Sequence, residues 1–174
     1  MLRIFLLAML LLANFIAQTT LWPELAILGV VPDTAVILIV SYGMLRGEIE
    51  GAIFGLAVGL VADIFTGVHV GTYALMGFVM GYVSGKPFKD YFKDNFFLPF
   101  FVVMVMMVLS QLLAYMVHIV FVGRLEFWFF VHAVALPTMV YTAALAIPLY
   151  SFLHYCNNKV EAYEEKRRAF FENK

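Results

Sequence analysis

The sequence predicts an all-α bundle embedded in a membrane, on three observations. Hydrophobic residues make up 64% of the chain and charged ones only 13%, with a mean hydropathy of +0.93, far from an ordinary soluble domain. Several apolar runs reach the roughly 20 residues that a bilayer crossing requires. The few cations are also segregated: with six spans counted, Arg3, Arg46, Lys86, Lys89, Lys93, Lys159, Lys166, Arg167, Arg168 and Lys174 fall on one side and only Arg124 on the other. The expectation is a polytopic integral membrane protein with six transmembrane helices in one compact bundle over residues 1–155. A charged, amphipathic tail over 156–174 follows, with both termini cytoplasmic.

Composition also removes several function classes. A lone cysteine, Cys156, leaves no internal disulfide and no cysteine zinc site, and at the cytoplasmic face it is a reduced thiol. There is no basic and aromatic block of the kind that binds nucleic acid, and no room for a soluble catalytic domain.

Taken in order, Met1 to Thr19 pairs Arg3 with an apolar run, the outline of a signal peptide with a loose cleavage site at Ala13–Ala17, or of a first span. The reading adopted is a first transmembrane helix from Ile4 to Thr19. Trp22 and Pro23 then mark an interfacial connection. Pro32 suits the first turn of a second helix, with Asp33 in that turn facing the positive end of the helix dipole. The run AVILIVSYG ends it at Gly43, and Arg46 follows in the loop.

The third helix, RGEIEGAIFGLAVGLVAD, is the most patterned stretch. Gly47, Gly51, Gly55 and Gly59 recur every four residues and Asp63 continues the series. Each such step turns about 40°, so Gly51 to Asp63 traces a stripe about 120° wide. Ala52, Gly55, Gly59 and Ala62 add a seam at steps of three and four. Glycine costs a helix in water about 1 kcal/mol relative to alanine, whereas in a bilayer small-xxx-small stripes mark closely packed helices. The seam is open to a partner helix or to helices of its own bundle.

Thr66–Thr72 reads as a tight turn with Gly67 and Gly71 where positive φ is tolerated. The fourth helix, Tyr73 to Ser84, repeats the small-residue logic with Ala74, Gly77, Gly81 and Ser84, so an antiparallel hairpin with the third is expected. It is short for a span; either Val70 or Lys86 extends it or the bilayer thins there. Gly85–Asn95 is a charged cytoplasmic loop offering Lys86, Lys89 and Lys93 for interactions. The fifth helix, Phe96 to Val122, is apolar but for Ser110 and a face of Gln111, Tyr115 and His118. The sixth, Phe127 to Tyr155, contains Pro137 and Pro148, each expected to bend it. The tail continues it, with Lys166, Arg167 and Arg168 set against anionic lipid or on a solvated, salt-bridged face.

Catalysis finds little footing. His69, His118, His132 and His154 are scattered without ligand spacing, and no nucleophile–base pair or phosphate loop occurs. Asp33 and Asp63 lie at helix ends, where a capping or interfacial carboxylate is the ordinary explanation for an acid near a membrane. No metal or cofactor is expected.

The run LGVVPD (Leu28 to Asp33), followed by RGEIEGAIFGLAVGLVADIFTGVHVGTYAL (Arg46 to Leu75), resembles the bacterial rod shape-determining MreD family. The matching positions are Gly29, Pro32, Asp33, Arg46, Gly47, Gly51, Gly55, Gly59, Asp63, Gly67, Gly71 and Ala74, within a resemblance spanning Leu28 to Gly85. It implies a non-enzymatic scaffold of the cell-wall elongation machinery in the bacterial inner membrane. It further implies MreC as a direct partner, with MreB filaments, the polymerase RodA and an elongation-specific penicillin-binding protein in the wider complex. The family is similar in fold to the substrate-binding S components of energy-coupling-factor transporters. That supplies the alternative, a vitamin-binding subunit, for which Trp22, His69 and Tyr73 are the candidate pocket residues.

Overall fold

The computed structural model describes residues 2–26, 29–66, 71–86, 97–122 and 130–172. Among them the chain is all-helical, with no strand. Its six main helices are α1 (Leu2–Ile16), α2 (Thr34–Arg46), α3 (Glu48–Thr66), α4 (Thr72–Gly85), α5 (Phe97–Val122) and α6 (Leu136–Glu172).

Two π-helical turns extend this plan, Ala17–Leu21 after α1 and Val131–Ala135 before α6. Each stands just ahead of a proline. Trp22 N–H bonds to the Ala17 carbonyl and Pro23 follows; Leu136 N–H bonds to the Val131 carbonyl and Pro137 follows. A proline cannot donate and crowds the carbonyl four residues back, so widening the preceding turn by one residue lets the helix run on. Pro137 follows the second of these turns within helical structure that is continuous from Phe130 into α6. Pro148 lies within α6, which continues unbroken past Tyr155 to Glu172.

The second helix also begins later than expected. Pro32 and Asp33 precede it, and Asp33 is its N-cap, its Oδ1 accepting from Val36 N–H at 3.2 Å. A capping carboxylate satisfies one of the donors left over at a helix start, which a proline in the first turn would not do.

The core is built round α2. Val36, Ile37, Leu38, Ile39 and Val40 are all buried, so this helix is covered on every side and packs against α3, α4, α5 and α6. Val103, Met106 and Met107 of α5 and Ala146, Tyr150 and Leu153 of α6 close the same core. Among the described residues, the α3–α4 pair is the most extensive helix packing. Among them too, Leu136–Val160 is the one helical segment both long and apolar enough to cross a membrane; Thr34–Arg46 and Phe100–Met116 are apolar but shorter.

Candidate functional site

Along the glycine stripe, backbone lies directly on backbone. A Cβ on Gly51 would lie 2.6 Å from the Gly81 carbonyl oxygen and 2.6 Å from Gly43 Cα. One on Gly55 would strike the Gly77 carbonyl, and one on Gly59 would meet the Tyr73 carbonyl and lie 2.5 Å from Ala74 Cα. The relation is reciprocal, since a Cβ on Gly77 or Gly81 would run into Gly55 or Gly51. Every step of four along α3 is therefore answered by a step of four in the opposite direction along α4. With no side chain between them, the two ridges close until the carbonyls of one helix meet the backbone of the other.

Gly43, at the end of α2, extends the seam to a third helix. A Cβ there would meet Ser84 Oγ and lie 2.8 Å from the Gly81 carbonyl. Its signal in the sequence is the same four-residue spacing, Gly43 to Gly47, although by pattern alone it reads as a helix end. Gly47 plays a different part from its neighbours. It lies between α2 and α3 with φ +100°, has nothing within 4 Å of a Cβ position, and caps α2 through its N–H to the Gly43 carbonyl at 2.8 Å. A side chain there would be opposed by conformation, not by crowding. Ala52 is buried beside the seam, whereas Ala62 lines a cavity that Gly59 and Gly77 also border.

Asp63 completes the ridge. It is 1% exposed and reaches across to the start of α4, where it accepts from Gly71 N–H (2.9 Å, Oδ2), Tyr73 N–H (3.0 Å, Oδ1) and Ala74 N–H (3.0 Å, Oδ2). Gly71, the N-cap of α4, has φ +100° and no side chain with which to cap. The carboxylate does for α4 what an N-cap aspartate does for its own helix, from the end of the preceding one. This is how a buried acid is accommodated at the end of the hairpin.

The start of α2 is held by a separate polar cluster. Asp33 N–H donates to Thr142 Oγ1 of α6 at 3.0 Å, and Gln18 Nε2 donates to the Pro32 carbonyl at 3.1 Å. Thr34 Oγ1 lies 2.6 Å from Gln18 Oε1 and 2.8 Å from Asn14 Oδ1. One hydroxyl proton serves only one acceptor. Gln18, whose amide nitrogen is already committed to the Pro32 carbonyl, is the nearer acceptor. Tyr141 Oη adds a bond to the Leu25 carbonyl at 3.0 Å. Thr142 stands out in the sequence only as part of a modest polar face with Thr138 and Tyr141, and Asn14, Gln18 and Thr34 not at all, because partners 20 or 109 positions apart leave no local pattern.

Arg46 ends α2, and Glu48 and Glu50 open α3, where acidic groups suit the dipole. Lys86 is exposed, its Nζ 4.9 Å from the centre of the Tyr82 ring. Lys89, Lys93, Gly67, His69 and Arg124 lie outside the described residues, as do the side chains of His118 and of the tail cations from Lys166 onward. Among the described residues no group of three or more His, Cys, Asp or Glu side chains is placed to hold a metal ion.

The seam and its capping acid make a closely packed helical hairpin. The family model described as rod shape-determining protein MreD matches residues 1–160. The chain belongs to the MreD family. Membership gives it a part in determining rod shape. No curated protein and no solved structure matches it. The MreD match extends well beyond the glycine-rich stretch that carried the resemblance, into α5 and most of the apolar part of α6.

Proposed function

We propose that this MreD-family chain is a non-enzymatic scaffold of the lateral wall-synthesis machinery, lying in the bacterial inner membrane as six spans with both termini in the cytoplasm. In this reading it binds MreC and through it connects MreB filaments, RodA and the elongation-specific penicillin-binding protein. The observation that carries the reading is the family match over residues 1–160. Surface chemistry supports the membrane placement: Ile49, Ile53, Leu60 and Ile64 of α3 and Leu75 and Phe78 of α4 all point outward from the bundle. At 14 residues α4 is about 21 Å long, short of a hydrocarbon core of about 30 Å, and it is accommodated by local thinning of the bilayer.

The α3–α4 seam is occupied by the chain's own helices, with α2 alongside. Its role in assembly is therefore indirect: it fixes the shape of the surface that a partner meets. Lys86, Lys89 and Lys93 and the tail provide the cytoplasmic binding surface.

Depletion in a rod-shaped host tests the reading. Cells should round up and widen, MreC should co-purify with the tagged protein, and no vitamin requirement should appear. Rods that keep their shape but need a vitamin would favour the transporter-subunit alternative, which no structural observation singles out. Introduced cysteines near Lys89 and Lys166 should react only from the cytoplasm, and those near Gly67 and Arg124 only from outside; an external Lys86–Lys93 loop would overturn the six-span topology.

A further inference from the structure

Between α5 and the α2–α3–α4 core lies a part-enclosed cavity of about 330 Å³, whose wall includes Gly59 and Gly77 of the glycine seam. Its volume lies at the lower end of small-molecule sites and equals about eleven waters. Polarity is graded along it. Asp33 at the start of α2 and Tyr73 at the start of α4 share one end, while Ile39, Met76 and Met80 line the wall farther along the same helices. From Tyr73 to Met80 the α4 wall runs about 10 Å. Gln111 of α5 stands on the opposite wall, and among the described residues nothing in the protein takes its amide. The Asp33 carboxylate caps α2, its Oδ1 accepting from Val36 N–H with Ala35 N–H also beside the group.

We propose that this cavity binds an amphiphile carrying a primary ammonium group. The ammonium sits at the Asp33 carboxylate beside the Tyr73 hydroxyl, and the apolar stem lies along Ile39, Met76 and Met80. The Gln111 amide meets acceptor oxygens below the head. An ammonium with three N–H donors complements a carboxylate, whose roughly four lone-pair sites exceed its two backbone donors, and such a charge-assisted bond is strongest where water is scarce. The volume takes the head and the first part of the stem, and the open side lets the remainder leave toward the surrounding apolar phase. Two sources supply this chemistry, the headgroup of phosphatidylethanolamine or a free long-chain amine. The inference does not depend on the scaffold reading: the cavity shares Gly59 and Gly77 with the seam, but neither the ligand nor its test involves MreC or the cytoplasmic lysines.

The test uses the full-length protein, stripped of lipid in detergent and titrated by native mass spectrometry. The probes are dioleoyl phosphatidylethanolamine, dioleoyl phosphatidylcholine, n-decylammonium chloride and n-decanol. The wild type should prefer phosphatidylethanolamine over phosphatidylcholine, or decylammonium over decanol, by about tenfold or more, the size of one charge-assisted hydrogen bond. The first preference identifies the lipid as source, the second alone the free amine. In Asp33→Asn either preference should fall to near unity, while asparagine, an equally good N-cap, keeps α2 intact. Ala114→Phe, which fills the cavity from the α5 wall, should lower binding of every probe at least tenfold. Equal binding of ammonium and non-ammonium probes by the wild type overturns the proposal, as does a preference unchanged in Asp33→Asn. Should that variant fail to fold, Ala114→Phe decides: binding undiminished there overturns the proposal, and binding lost with helicity retained supports it.

Discussion

The two halves of the bundle are joined by different physics. In the α3–α4 hairpin, Gly51, Gly55 and Gly59 let backbone meet backbone, and one buried carboxylate caps the second helix from the end of the first. In the α5–α6 half the packing is made by long side chains, Met106, Met107, Tyr150 and Leu153, in the core shared with α2. A glycine seam has no rotamer with which to yield, so its geometry is fixed and its tolerance small. Methionine is flexible and adapts its shape, so the second half can absorb change. At the start of α2 the two halves are tied by a directional bond, from Asp33 N–H to Thr142 Oγ1.

That contrast can be broken most severely at Gly55. Replacing it with leucine drives a side chain into the Gly77 carbonyl, which cannot move aside as a side-chain end can. Overpacking of this kind costs about 1–3 kcal/mol or more. Thermal unfolding in detergent should fall by the largest margin of any single change considered, with membrane insertion intact because leucine is apolar and a good helix former. A Gly55→Leu, Gly59→Leu double variant with wild-type stability, normal partner co-purification and full shape complementation would show that the seam does not organise the bundle.

Asp63→Ala comes next. It strands the Gly71, Tyr73 and Ala74 N–H groups at the start of α4, and each buried orphan donor costs about 1–3 kcal/mol. Hydrogen exchange should show the first turn of α4 opening while α5 and α6 keep their protection. Asp63→Asn keeps one acceptor oxygen, able to hold the Gly71 and Ala74 donors, and should lose only about a third of the alanine effect. Equal losses in the two variants would mean that charge, not the count of hydrogen bonds, sets the cap.

The link between the halves is expected to be weaker. Thr142→Val removes the acceptor of Asp33 N–H at a fully buried position, at about 1 kcal/mol. Exchange should rise at the start of α2, with the hairpin unaffected. The smallest effect belongs to Leu75→Ala on the outer face of α4, where the side chain is 65% exposed. Its unfolding in detergent should change by no more than about 0.5 kcal/mol. A large loss there would mean that the outward face packs against something in the purified particle, and the comparison would need a third surface.

Read alone, the sequence determined that the chain is helical and membrane-like, and that its third and fourth helices form a close antiparallel pair. Apolar composition and a four-residue glycine period are local properties, and the period marks close helix packing while leaving open whether the partner lies in the same chain. The period also carried the MreD resemblance, which the family match then extended over the chain. Roles within the pattern were settled only by the fold. Gly47 left the stripe to become a turn, Gly43 joined it, and Asp63 turned from an isolated helix-end acid into the cap of α4. The polar cluster of Asn14, Gln18, Thr34 and Thr142 depends on separate helices converging, and the cavity at Asp33, Tyr73 and Gln111 on α5 facing α2 and α4. Both arise from distances between residues far apart in the chain, which no period or composition encodes.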